Sequence, residues 1–304
     1  MSFVVIVPTL NAGELWTTWI NAIKSQSLKP DSVLVIDSGS EDDTVRLAKE
    51  AGFHVQLLPA GTFNHGGTRK QAVLQNQNHE FVVFLTQDAI LADSNAFQNI
   101  LLPFGDELVA AVCGRQLPNN TAGAVATHAR MFNYPATSCV RTYADRQIYG
   151  VRAAFLSNSF AAYRSGALLE LGSFPDDVIF GEDMYVAVKI LKAGYKLAYA
   201  ADACVYHSHD YSVVQEFRRY FDMGVFHARE PWIRRELGSA EGEGLKFVIS
   251  ESKYLLKNAF WRIPEGLLRS ICRYAGFRLG LVENRLPVNL KKKLSMNRGY
   301  FKSA

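Results

Sequence analysis

Phe3-Val4-Val5-Ile6-Val7-Pro8-Thr9-Leu10-Asn11 opens the chain with five apolar residues, four of them β-branched, that run without polar alternation into a proline and a polar cluster. Such runs favour the pleated conformation. A strand with no polar face has to be covered on both sides, as in parallel sheets flanked by helices. The same unit recurs: residues 32–36, 55–58 and 81–85 are further short apolar runs, and the spacing predicts helices over 14–25, 41–51, 68–75 and 93–102. This alternation predicts an α/β fold whose central, mostly parallel sheet carries helices on both faces. Ligands of such sheets bind beyond the carboxyl ends of the strands. Three polar clusters lie at those ends, Pro8-Thr9-Leu10-Asn11, Asp37-Ser38-Gly39-Ser40 and Thr86-Gln87-Asp88-Ala89, and the fold should gather them along one edge.

The 304 residues are 48% hydrophobic and 20% charged, which excludes a disordered chain, a collagen-like repeat and a coiled coil. A net charge of +4 hides an asymmetry. The last 52 residues hold 12 Lys and Arg against two acids, Glu265 and Glu283, a net of +10, which leaves 21 bases and 27 acids, a net of −6, in residues 1–252. Within that basic segment Leu267, Leu268, Ile271 and Tyr274 have helical spacing, which predicts amphipathic helices. They would meet the cytoplasmic face of a membrane, or pack on the body of the protein or on a second subunit, so a homo-oligomer stays open. The Leu and Phe content of the segment argues against nucleic acid as its partner. Cys113, Cys139, Cys204 and Cys272 form no metal or redox pair and are expected as buried thiols of a reducing compartment. The first strand is too short and lacks the basic flank of a signal peptide, and no apolar stretch approaches the roughly 18 to 20 residues of a membrane span. The expected location is cytoplasmic, peripheral at the inner face of the cell membrane.

Several residues have the chemistry of a site. Asp37 ends the second strand, where a carboxylate can accept hydrogen bonds from a base or ribose; helix capping accounts for Ser40 or Asp42 but not for Asp37, which precedes the cap. Gly66-Gly67-Thr68-Arg69-Lys70 places flexible backbone and two cations at a helix start, where amides and the dipole favour a phosphate. The spacing fits neither a P-loop nor a dinucleotide fingerprint. Asp88 follows an apolar strand and can hold a divalent cation, Mg²⁺ or Mn²⁺, that bridges the phosphates of a nucleotide-linked donor. Phe180-Gly181-Glu182-Asp183 opens a helix expected to end at Ala193-Gly194, and Asp183 becomes a general-base candidate if it faces the same cleft as Asp88. A strand at 196–200 and a helix over 213–229 follow. His207 and His209 alternate in an extended segment and should point to opposite sides, which argues against one metal held by both, although either could reach a cation or diphosphate alone.

Taken in order, Val7-Pro8-Thr9-Leu10-Asn11, Asp37-Ser38-Gly39-Ser40, Arg69, Gln87-Asp88 and Gly181-Glu182-Asp183 resemble the motif set of family-2 glycosyltransferases with the GT-A fold, over roughly residues 3–210. Within that family, Phe63-Asn64-His65-Gly66-Gly67-Thr68-Arg69, Leu85-Thr86-Gln87-Asp88-Ala89 and Gly181-Glu182-Asp183-Met184 are similar to strings of bacterial rhamnosyltransferases that build O-antigen or related polysaccharides. The resemblance implies a dTDP-L-rhamnose donor and a lipid-linked, polyprenyl diphosphate saccharide acceptor. It also implies a nucleotide site of Pro8, Thr9, Asn11, Asp37, Ser38, Arg69, Gln87 and Asp88, with Asp37 near the base and Arg69 near base or phosphate. Asp88 would bind the metal with help from His207, Asp183 would be the catalytic base, and Glu182 and Asn158 would hold the acceptor or support the base. Thr86-Gln87-Asp88 departs from the family's paired-acid D-x-D in keeping one acid only. The implied division is a GT-A domain over 1–252, with a nucleotide-sugar half to about 105 and an acceptor half from about 106, then a basic helical region over 253–304. Competing readings are transfer from another nucleotide-sugar, nucleotidyl transfer with pyrophosphate release, and a non-catalytic binding subunit of a polysaccharide assembly complex.

Overall fold

A computed structural model describes residues 1–59, 61–238 and 242–301. Nine strands form one sheet: β1 Phe3–Thr9, β2 Ser32–Asp37, β3 His54–Leu57, β4 Phe81–Leu85, β5 Ile90–Leu91, β6 Val109–Leu117, β7 Cys139–Arg141, β8 Phe160–Arg164 and β9 Lys196–Tyr206. Their order is β3-β2-β1-β4-β8-β6-β9-β5, with β7 also paired to β9. The pairs β3-β2, β2-β1, β1-β4 and β6-β9 are parallel, while β8, β5 and β7 run against their neighbours. The expected parallel sheet is therefore found, with the antiparallel strands confined to the end of the sheet beyond β4.

The apolar runs are continuous because each feeds two cores. Val4, Ile6, Val82 and Phe84 point to one face and Phe3, Val5, Val7, Phe81 and Val83 to the other. Helices α1 Leu15–Lys24, α2 Thr44–Glu50 and α4 Ala96–Leu101 cover the second face through Trp16, Trp19, Ala48 and Phe97, and α3 His65–Gln75 contributes Ala72 and Val73 to the first. Pairing of β1 with β4 ends at Ile6 and Phe84, so Pro8, which has no N–H to donate, lies beyond that ladder while staying in register with Ile36 of β2.

The second half adds α5 Ala124–Asn133, α6 Arg146–Tyr149, α7 Ser165–Glu170 and α8 Glu182–Lys192, the last closed by Gly194 at φ +88°. Then come α9 Val213–Arg229, α10 Pro231–Leu237, α11 Glu243–Asn258, α12 Ile263–Gly280 and α13 Val288–Leu294. The division expected between residues 252 and 253 falls inside α11, and α12 is docked on α9. That contact rests on glycines. A Cβ at Gly276 would lie 2.4 Å from the Phe217 carbonyl oxygen, and one at Gly280 would lie 2.2 Å from that of Phe221. Glu216 of α9 completes the joint by accepting from Arg273 at 2.8 and 3.0 Å and from Arg269 at 2.9 Å. The last three residues of the basic segment lie outside the described residues.

All four cysteines are free, but only Cys113 is buried; Cys139, Cys204 and Cys272 are half-buried, since they sit on a short strand, near the end of β9 and on α12. No helix among the described residues is long and apolar enough to cross a membrane.

The close approach of α9 and α12 leaves no room for a methyl group. Gly280→Ala is expected to lower stability by about 1–3 kcal/mol, read as a fall in thermal midpoint, whereas Gly299→Ala, where a Cβ meets nothing within 4 Å, should leave it unchanged.

Candidate functional site

The three strand ends meet as expected, and they are stitched together by their own side chains. Gln87 Oε1 accepts from the Leu10 amide at 2.8 Å and Gln87 Nε2 donates to the Leu10 carbonyl at 3.1 Å. Asn11, at φ +46°, accepts from the Glu41 amide through Oδ1 and donates its own amide to Ser40 Oγ, each at 2.8 Å. The Ser38 amide donates to the Thr9 carbonyl at 2.9 Å, and Pro8 lies beside it in β1. Asp37 is 1% exposed and accepts four hydrogen bonds, from Thr9 Oγ1, Ser40 Oγ and the amides of Gly39 and Ser40, at 2.5–3.0 Å. Burial alone would raise its pKa, but these donors, Ser40 foremost, hold the carboxyl below its ordinary value. Four acceptor positions are about what a carboxylate has. Local structure therefore does account for Asp37, and it leaves the carboxylate to shape the edge.

The helix start at Gly66-Gly67 differs from expectation. α3 starts at His65, three residues earlier than the predicted Thr68, and Asn64 caps it, its Oδ1 accepting from the Gly66 and Gly67 amides at 3.0 and 2.7 Å. Gly66 is needed because a Cβ there would lie 1.8 Å from the Pro175 carbonyl oxygen. Lys70 pairs with Asp176 at 2.5 Å. The amides and this cation are already partnered, so this helix start is not a phosphate cradle.

On the other side of β4, Asp88, His207 and His209 offer three ligand atoms within 4.8 Å of one another. Asp88 Oδ2 lies 3.4 Å from His207 Nε2 and 3.5 Å from His209 Nε2. The expectation that the two histidines diverge fails because β9 ends at Tyr206, and strand alternation does not extend into residues 207–210. The tautomer of His207 follows from its neighbours. Arg130, which has only donors, donates to Gln116 Oε1, so that atom is an acceptor, and His207 Nδ1 at 2.8 Å from it must carry the proton. Gln116 Nε2 donates to Ser157 Oγ at 3.0 Å and fixes the same orientation. With Nδ1 committed to Gln116, Nε2 is the ring nitrogen that His207 turns toward Asp88. Burial, and next His207, pushes His209 down to about 4, which leaves it neutral at pH 7. Burial works against ionisation of Asp88, but the His207 imidazole holds its carboxyl well below the usual range. One carboxylate oxygen and two imidazole nitrogens facing a common point fit a divalent cation, and the nitrogens suit Mn²⁺ better than the oxygen-seeking Mg²⁺.

Arg69, expected near base or phosphate, lies in the interior. Its guanidinium is 3.1 Å from Glu182 and donates to the His65 carbonyl at 2.9 Å, both side chains being buried. Asn158 Nδ2 donates to Glu182 Oε1 at 3.0 Å, its Oδ1 accepts from the Tyr163 hydroxyl at 2.6 Å, and its amide reaches Asp183 at 3.3 Å. Burial opposes the charge on Glu182, yet Arg69 keeps it ionised. Asp183 has no cation of its own. Burial first, and the Glu182 charge second, raise its carboxyl above the ordinary range, against the Met184 amide at 2.8 Å.

Asp183 borders a cleft of about 590 Å³ between the sheet and the C-terminal helices. His209 lines the same cleft, and through it the cation cluster and Asp183 share one space. Arg130, Arg219, Arg262 and Arg269 add positive charge to the walls. Sequence reasoning missed Gln116, an isolated amide in an apolar strand, and it missed the arginines of α12, whose place depends on docking to α9.

Residues 2–222 match a family model described as glycosyltransferase like family 2. The chain is 48% identical over 302 residues to the O-antigen chain rhamnosyltransferase RfbN of Salmonella typhimurium, and 46% identical over 301 residues to the O-antigen chain rhamnosyltransferase WbaN of Salmonella anatum; each match covers 99% of this chain and 96% of the relative. Among solved structures, the mannosyltransferase PcManGT from Pyrobaculum calidifontis in complex with GDP-Man and Mn²⁺ matches with a TM-score of 0.55 at 20% identity, over 98% of this chain and 84% of that one. TarS 1–349 of S. aureus in complex with UDP-GlcNAc matches with a TM-score of 0.57 at 19% identity, over 99% and 88%. These structures share the GT-A fold with this chain.

Glu182→Gln keeps the oxygen that Asn158 bonds but removes the charge beside Asp183 and leaves Arg69 unpaired. The Asp183 carboxyl is then expected to titrate at lower pH than in the unaltered protein, followed by carbon NMR of that side chain. An unchanged midpoint would show that Glu182 does not set it.

Proposed function

The chain belongs to glycosyltransferase family 2, and on that premise we propose that it transfers L-rhamnose from dTDP-L-rhamnose, with inversion, to a hydroxyl of a lipid-linked (polyprenyl diphosphate) saccharide in O-antigen synthesis. The observation that carries this reading is the near-half identity, over almost the whole length, to two O-antigen chain rhamnosyltransferases.

The proposed chemistry is a single displacement. The acceptor enters the cleft, Asp183 takes the proton from its hydroxyl, the freed oxygen pair forms the new bond to C1 of rhamnose, and the bond from C1 to the dTDP oxygen breaks with its electrons leaving on the diphosphate. The elevated carboxyl of Asp183 suits a general base better than an ordinary aspartate would. Asp88, His207 and His209 would hold a divalent cation, Mn²⁺ in preference to Mg²⁺, which neutralises charge on the departing diphosphate. Gln116 keeps His207 in the tautomer that can coordinate. The edge built from Thr9, Asp37, Ser38 and Gln87 would receive the nucleotide, with Asp37 and Gln87 acting by fixing the loops; Arg69 and Glu182 support Asp183 from behind.

Release of dTDP from dTDP-rhamnose in the presence of Mn²⁺, increased by a lipid-linked saccharide, is the expected result from a panel of dTDP-, UDP- and GDP-sugars. Release from another donor would discard rhamnose and keep the chemistry. Asp183→Asn should lower transfer by about 10²–10⁴-fold with donor affinity retained; near-normal turnover would remove Asp183 from the role. Gln116→Leu should weaken Mn²⁺ binding, followed by electron paramagnetic resonance, by about 10–100-fold, and Gln116→Glu, which keeps an acceptor for His207, should restore most of it.

A further inference from the structure

We propose that the outward face of α12, with the Phe260-Trp261 corner that joins it to α11, is a docking surface for an anionic lipid bilayer. The helix has two opposite faces. Gly266, Arg273, Gly276 and Gly280, spaced by three, four or seven residues, turn inward and are buried. The apolar residues that the sequence singled out are not the ones that pack: Leu267, Leu268, Ile271 and Tyr274 are exposed. Together with Leu256, Phe260 and Trp261 they form an apolar surface in which Leu256, Phe260, Trp261, Ile271 and Tyr274 are each 65–69% exposed. Contiguous exposure of large apolar side chains on this scale marks an interaction site.

Charge identifies the occupant. Among the described residues from 253 onward, the exposed charged side chains are all basic, with Lys253, Lys257, Arg262 and Arg278 beside the apolar patch. The two acids are withdrawn: Glu265 pairs with Arg262 at 2.5 Å and Arg269 at 2.7 Å, and buried Glu283 pairs with Arg229 at 3.0 Å and with Lys291. A second copy of the chain would bring this basic rim against itself across a two-fold axis, where like charges repel. A bilayer with anionic headgroups accepts both parts, aromatic and aliphatic side chains at the acyl boundary and cations among the headgroups. The surface adjoins the cleft, since Arg262, Glu265 and Arg269 line it. A lipid-linked acceptor would then enter from the membrane side; that use rests on the proposed function, while the docking does not.

Flotation of the whole protein with vesicles tests the docking. Binding is expected to vesicles of phosphatidylethanolamine and phosphatidylglycerol, and much less to phosphatidylcholine alone. Trp261→Ser with Ile271→Ser should weaken it by about tenfold or more, and Lys253→Gln with Lys257→Gln by about fivefold per charge. Neither pair should change dTDP release from the donor in the absence of lipid, so a failed donor reading and a failed docking are told apart. Absence of the wild-type protein from the floating fraction overturns the proposal, as does flotation that the substitutions leave unchanged. A dimer in analytical ultracentrifugation that Trp261→Ser with Ile271→Ser dissolves would assign the surface to a second copy instead.

Discussion

One buried charge organises the site. Glu182 is ionised in the interior because Arg69 faces it and Asn158 donates to it. Removing one partner from such a pair leaves an uncompensated buried charge, at a cost of about 3–5 kcal/mol. The pair joins α3 to α8 and so ties the first half of the sheet to the second. It also dictates the state of the next residue. With Glu182 turned inward, Asp183 turns to the cleft, and the neighbouring charge together with burial makes its proton harder to lose. A fixed ion pair thus positions and tunes the neighbouring Asp183 carboxylate.

The opposite wall follows the same logic with lone pairs. Arg130 orients the Gln116 amide, Gln116 Oε1 accepts from His207 Nδ1, and His207 Nε2 is turned toward Asp88. His207 and His209 would supply, beside Asp88, the ligands that the missing first acid of Thr86-Gln87-Asp88 does not.

Much of the fold was legible because parallel strands buried on both faces leave apolar runs, as β1, β2 and β4 do, whereas β3, at the sheet edge, is only partly buried. The convergence of Thr9, Asp37 and Asp88 followed from topology. What local pattern could not carry was partnership at long range. Arg69 and Lys70 read as phosphate ligands until Glu182 and Asp176 were found against them, and Asp37 read as a free carboxylate until Thr9 and Ser40 filled it. The histidines were misjudged because a period of two holds only while the strand lasts. For α12, apolar spacing predicted an amphipathic helix and left open whether its apolar face packs; the face that packs closely is marked by Gly266, Gly276 and Gly280, which carry no hydrophobic signal.

The proposed mechanism places a cation and the Asp183 base on two walls of one cleft. A crystal grown with dTDP and Mn²⁺ and measured at the manganese absorption edge tests it most directly. One anomalous peak is expected about 2.0–2.4 Å from Asp88 Oδ2 and from Nε2 of both His207 and His209, in contact with the diphosphate and open to the space that Asp183 borders. A peak held by other residues, or dTDP bound with no manganese at these three atoms, would contradict it.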